Sequence, residues 1–129
     1  MKLKELKDYP SELTESRVEL EGAFIFSLWN DPDLYSDFRK INIDDKSRTI
    51  LTEEGQFYFQ LGKNLYEQGY RKFDHVTLMI YLESFPKVRE QFDMYGGYNT
   101  VRELMSVHSA DNVDGYFDNV AKYNTLMKL

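Results

Sequence analysis

Two histidines, two adjacent acidic pairs and one Gly-Gly are the side chains and turns of this 129-residue chain with most chemical potential, and their spacing limits each of them. A helical metal site needs two ligands at i and i+4, so that both leave one face. Neither His75 nor His108 has a histidine or carboxylate at that distance. Both read as ordinary helix-end residues, and no metal ligand is expected. Asp44-Asp45 falls in a polar loop and Glu53-Glu54 in a helical first turn. Solvation and the helix dipole account for those pairs better than acid–base work does. Gly96-Gly97 lacks the following Lys-Ser/Thr of a phosphate loop and the preceding strand of a dinucleotide fold. Cysteine is absent, which removes disulfides and thiolate metal sites and fits a reducing compartment. The reading at this level is no catalytic residue, no cofactor-binding residue and no metal site.

The elements that would position any site are helical. Phe57, Leu61 and Leu65 recur every four residues, with Tyr58 and Tyr66 beside them, so the stretch from Glu53 forms an amphipathic helix. Thr52 caps it, and Leu65-Tyr66-Glu67-Gln68-Gly69 reads as a last turn closed by a left-handed glycine. Gly62, inside this helix, costs about 1 kcal/mol relative to alanine and so predicts the close approach of a neighbouring helix. Asp74 then caps a further helix that buries Leu78, Met79, Leu82 and Phe85.

Upstream, Ser16 and Glu19 have capping-box spacing, and Val18, Gly22, Ile25 and Trp29 follow on one face of a core helix. Leu20, Ala23, Phe24 and Phe26 make most of its remaining surface apolar. Asn30-Asp31-Pro32 stops that helix and starts the next. Asp31 is the cap, Pro32 the first helical residue, and Leu34, Tyr35, Phe38 and Ile41 the buried side. Residues 42–49 read as a surface loop. Pro86 opens a short helix through Val88 and Phe92, and Gly96-Gly97 breaks the pattern. Val101, Leu104 and Met105 then start a new unit. A final helix carries Val113, Tyr116, Phe117, Val120, Tyr123 and Met127 at the alternating three-and-four spacing of a short coiled-coil seam.

With no β-alternation and no repeat, the class is all-α: a compact helical bundle head over residues 16–95, a C-terminal helical hairpin over 96–129, and an N-terminal arm over 1–15, one domain overall. A net charge of −6, from 16 basic and 22 acidic side chains, has the wrong sign for tight direct DNA binding. The longest apolar run, Gly22 to Trp29, is too short to cross a bilayer, and residues 1–7 alternate Lys and Glu unlike a signal peptide. No membrane partner is expected, and the cytoplasm is the expected compartment.

In this order the pieces resemble the N-terminal domain of the DnaB-type hexameric replicative DNA helicases of bacteria and phages. The Glu-rich entry to an apolar helix ending in Asp-Pro is matched by Glu19 to Trp29 and Asp31-Pro32. The family's Leu-Tyr-Glu-x-Gly and Asp-x-Val-Thr-Leu look like Leu65 to Gly69 and Asp74 to Leu78. Its Gly-Gly, helix, Ser-Ala-x-Asn-Val and tyrosine-bearing final helix look like Gly96-Gly97, Val101 to Val107, Ser109 to Val113 and Tyr116. The likeness covers residues 16–129. The chain departs from the pattern at Ile50 to Gly55, where the family has Phe-Tyr-Asp/Asn-x-x-His, and Gly55 stands in place of the histidine. That departure points to a divergent, phage-encoded member.

The resemblance implies a non-catalytic domain that takes part in DNA replication within the primosome, pairing with a second copy as a dimer and assembling as a hexamer at full length. It also implies docking of primase or a helicase loader, in the cytoplasm of a bacterial or phage-infected cell. No Walker motif occurs, so ATP and magnesium would belong to a separate ATPase domain. The expected self-association and partner interface is Val113, Tyr116, Phe117, Val120, Tyr123 and Met127, on a final helix that continues to Leu129 without a stop signal. The competing readings are a free-standing phage adaptor or inhibitor that mimics this domain and binds a replication protein, and a small acidic helical enzyme. An open reading frame that continues past Leu129 into a Walker motif would favour the helicase, and a stop codon there the adaptor.

Overall fold

The computed structural model describes residues 11–38, 50, 52–108, 112, 115 and 116, with the backbone alone for 11–17 and 38. The protein is all-α. Helices α1 (Ser11–Asn30), α2 (Tyr35–Phe38), α3 (Glu53–Glu67), α4 (His75–Glu83), α5 (Pro86–Met94) and α6 (Gly97–Val107) account for most of the described residues, and a 3-10 turn over Pro32–Leu34 leads into α2. No strand occurs among the described residues.

Helix α1 is the hub, packing against α3 on one side and α6 on another. Its Phe24, Ile25, Phe26, Leu28 and Trp29 are buried and meet Tyr58, Phe59, Leu61 and Leu65 of α3, with Phe73, Leu78, Leu82, Phe92 and Val101 completing one continuous core. Aromatic rings dominate the joint. Trp29 stands edge-on to Tyr58 and Phe73, at centroid separations of 5.9 and 5.2 Å. Such geometry adds to the burial of the rings, because the positive edge of one meets the negative face of the other.

The local stops and starts follow capping chemistry. Thr52 Oγ1 accepts from the Gly55 amide at 2.9 Å and opens α3. Gly69, at φ +99°, closes it, with the Tyr70 amide donating to Leu65 O at 3.1 Å and the Gly69 amide to Tyr66 O at 3.0 Å. Those two bonds make a Schellman end. Asp74 Oδ1 accepts from the Thr77 amide at 2.9 Å and opens α4. Gly96 and Gly97, at φ +109° and +65°, turn the chain from α5 into α6.

Four expectations are corrected. Helix α1 begins at Ser11 and not at Ser16, because Glu12, Leu13 and Glu15 are good helix formers and no glycine or proline separates them from Ser16. Asp31 makes no side-chain cap; the short 3-10 turn satisfies itself through the Leu34 amide on Asp31 O at 3.0 Å. Phe85 is 44% exposed, since α4 ends at Glu83 and Phe85 becomes the residue before α5, lying against Tyr81 and not in the core. Val18, expected on the core face of α1, is 39% exposed. Ile41, residues 42–49 and the second arm of the expected hairpin lie outside the described residues, apart from 112, 115 and 116.

Candidate functional site

Among the described residues, a groove of about 460 Å³ opens where α1, α3 and α6 meet. Helix α1 lays Val18, Gly22, Ile25 and Phe26 along one wall, the first turns of α3 bring Gly55 and Tyr58, and the end of α6 brings Leu104 and His108. Glu19, Glu21, Thr52 and Glu54 add its polar groups. The size is that of a site for a small molecule or a few side chains of a partner.

Glu21 shapes the α1–α3 side. It is 2% exposed, and its Oε1 accepts from the Thr52 hydroxyl and from the Thr52 amide, the latter at 3.3 Å. A carboxylate therefore braces the residue that caps α3. Gly55 makes room for it: a Cβ there would run into Glu21 Oε1 and lie 2.7 Å from Thr52 Oγ1. At the other end, Asn30 Nδ2 donates to Met105 O at 2.8 Å and to His108 O at 2.7 Å, tying the end of α1 to carbonyls that α6 leaves open. That bond pair holds His108 at the groove.

Tyr58 is the unusual residue. It is 2% exposed, its ring is clasped by Phe26, Trp29, Phe57 and Tyr95, and its hydroxyl has no hydrogen-bond partner among the described residues. An unpaired buried polar group of this kind costs about 1–3 kcal/mol. Burial, with the negative charge of Glu54 next and Tyr95 after it, drives the phenol pKa far above its ordinary value. At neutral pH Tyr58 is thus a hydrogen-bonding group and not a base. Burial also raises the pKa of the Glu54 carboxyl and lowers that of the His108 imidazole.

Of the residues singled out from sequence, His108 and Glu54 line the groove, and the others lie elsewhere or do structural work. His75 opens α4 and stacks on Tyr98 at 4.8 Å, joining α4 to α6. Glu53 and Glu54 occupy the first turn of α3. Gly62 is approached by two side chains: a Cβ there would run into the Tyr35 hydroxyl and come within 2.7 Å of Trp29 Nε1. Of the expected interface residues, Tyr116 is half-buried against the core and its hydroxyl accepts a long 3.5 Å contact from Asn112 Nδ2. Val113, Phe117, Val120, Tyr123 and Met127 lie outside the described residues, as does Asp44-Asp45. Among the described residues no three histidine or carboxylate side chains come together as metal ligands would, and no helix is long and apolar enough to cross a membrane.

Comparison with models of protein families, with curated proteins and with solved structures finds no match to this chain. The groove was not legible beforehand. The available signal was Glu21 itself, a carboxylate set between Leu20 and an apolar run that is otherwise destined for the core.

Proposed function

We propose that this chain is a non-catalytic oligomerisation and partner-docking domain of a DnaB-type replicative DNA helicase, acting in DNA replication through its own copies and through a primase or a helicase loader. The observation that carries the reading is the order of its motifs: an apolar helix into Asp31-Pro32, Leu65 to Gly69, Asp74 to Leu78, Gly96-Gly97, and Ser109 to Val113. Each is short, and their specificity comes from occurring together at family-like spacing. In this reading ATP and magnesium belong to a separate domain, and the chain itself neither turns over ATP nor holds duplex DNA at physiological salt.

Docking is favoured over catalysis by the surface. Val76 and Ile80 are 67% and 56% exposed one turn apart on α4, and Phe85 and Met94 are exposed beyond it. Apolar groups displayed in this way suit protein contacts. The test is sedimentation and light scattering over a wide concentration range, on the wild type and on Phe117→Asp and Tyr123→Asp. The wild type should self-associate and the variants stay monomeric with unchanged helical circular dichroism. A wild type that is monomeric at high micromolar concentration, with variants that unfold, would assign the stripe to the domain's own core and end the oligomerisation reading.

A further inference from the structure

Helix α4 carries two apolar stripes, and the fold buries one of them. Leu78 and Leu82 are in the core. Val76, Met79 and Ile80 recur at the i, i+3, i+4 spacing of a second stripe, where Ile80, two residues from each buried leucine, stands opposite the core. Met79 is half-buried at the edge of that stripe, and Val76 and Ile80 are exposed. A solvated helical face carries polar residues, whereas a helix that is apolar on all sides is one that its surroundings bury. Glu83, the last residue of α4, continues the outer face at i+7 from Val76, and Lys72 lies just before the Asp74 cap; both are exposed. The Asp74 carboxylate at that end is occupied by the Thr77 amide. The outer face therefore runs from a cation at its start, through two aliphatic side chains, to an anion at its end.

We propose that this face pairs with the α4 face of a second copy of the chain, the two helices antiparallel, with Val76 of each copy against Ile80 of the other. The occupant follows from the charges. A face with opposite signs at its two ends is complementary to itself turned end for end, the arrangement a two-fold axis creates. In that register Glu83 of one copy falls beside Lys72 of the other, and the negative end of each helix dipole lies at the positive end of its neighbour. A partner surface of single sign would be repelled at one end. The surface is separate from the final helix, so the proposal goes beyond the self-association named above and does not depend on it. Two aliphatic side chains per copy bury far less than the roughly 800 Å² per partner of a stable dimer, so the pairing is weak by itself.

A covalent trap reads a weak contact, and the native absence of cysteine keeps it unambiguous. Equal amounts of Val76→Cys and Ile80→Cys, both changed at exposed positions, are mixed at high micromolar concentration in a glutathione redox buffer at low ionic strength, and the disulfide dimers are sorted by mass. In the antiparallel register positions 76 and 80 face each other. Like positions are offset by about 6 Å along the axis, which with the gap between the helices puts them outside disulfide reach. The mixed dimer should exceed the two like dimers together by about fivefold or more. Random collision makes them equal. Adding Glu83→Lys to both chains should cut the mixed dimer about threefold or more, and adding Lys72→Glu with Glu83→Lys, which exchanges the two charges, should restore it.

A mixed dimer no more abundant than the two like dimers together would overturn the proposal. So would a yield that Glu83→Lys leaves unchanged or that the charge exchange fails to restore, because the register would then not be set by Lys72 and Glu83. Absence of the mixed dimer would overturn it too, and would leave a different protein as the occupant of the stripe. None of these results bears on the final helix, which the Phe117→Asp and Tyr123→Asp measurements decide separately, so either reading can fail alone.

Discussion

Two glycines of α3 act by leaving room for side chains from α1 and α2. At Gly62 the missing Cβ lets Trp29 Nε1 donate to Tyr58 O and the Tyr35 hydroxyl donate to Phe59 O, both at 3.2 Å. These carbonyls lie three and four residues before Gly62, on the helical face that a side chain at 62 would cover. Burial raises the Tyr35 phenol pKa well above its ordinary range, so the hydroxyl remains a donor. Gly62→Ala gains about 1 kcal/mol of helix propensity but forces two fully buried rings apart, and should destabilise by about 1–3 kcal/mol net in urea unfolding. A more stable Gly62→Ala protein would mean that the rings yield without cost. At Thr52 the hydroxyl both caps α3 and donates to the buried Glu21 carboxylate. Thr52→Ala should cost about 2–3 kcal/mol, and Thr52→Ser, which keeps the oxygen, less than about 1. Equal losses for the two would shift the explanation to the lost methyl group.

At the scale of elements, the hinge between α3 and α4 is built from local devices. The Schellman end at Gly69 turns the chain, Arg71 donates to Tyr66 O and Tyr70 O, and its guanidinium lies 3.9 Å over the Tyr66 ring. The same arginine pairs with Asp33 at 3.1 Å and so ties the hinge to the 3-10 turn, although the exposure of both groups makes that pair a weak contributor. Asp74 then starts α4. Hydrogen bonds from the Thr77 amide and hydroxyl hold its carboxyl below the ordinary range. A carboxyl depressed in the folded state contributes stability above its unfolded pKa of about 3.9, and that contribution fades as pH falls through the folded value. Asp74→Asn should therefore keep the cap at neutral pH and show a smaller loss of melting temperature on acidification than the wild type. Parallel melting curves for the two proteins across acid pH would show that Asp74 is not among the acid-sensitive groups.

For the whole molecule, one continuous core links α1, α3, α4, α5 and α6, and the single tryptophan is part of it. Trp29 is 1% exposed and touches residues from α3 and the α3–α4 connection, so its environment reports the assembled core and not one helix. A chain organised in this way should unfold cooperatively. Trp29 fluorescence should red-shift at the same urea concentration at which far-ultraviolet circular dichroism is lost. A fluorescence change that precedes the loss of helix would identify α1 as a separately melting element.

Sequence alone determined the helical class and most of the helix ends, because those depend on groups a few residues apart. Thr52 reaches the Gly55 amide, Asp74 reaches the Thr77 amide, and Gly69 and Gly96-Gly97 supply the positive φ their turns require. Where a second local solution was available, as at Ser16, Asp31 and Phe85, pattern reading chose the wrong one. The groove and its chemistry belong to tertiary structure. Trp29 meets α3 across 29 residues, Glu21 meets Thr52 across 31, and Asn30 meets Met105 across 75. No local spacing encodes those meetings. Only the packing of α1 against α3 and α6 could turn Gly62 from a helix flaw into a passage for two donors, bury Glu21 as a brace, and leave the Tyr58 hydroxyl without a partner among the described residues, since burial and hydrogen bonding at each depend on which distant surface closes over it.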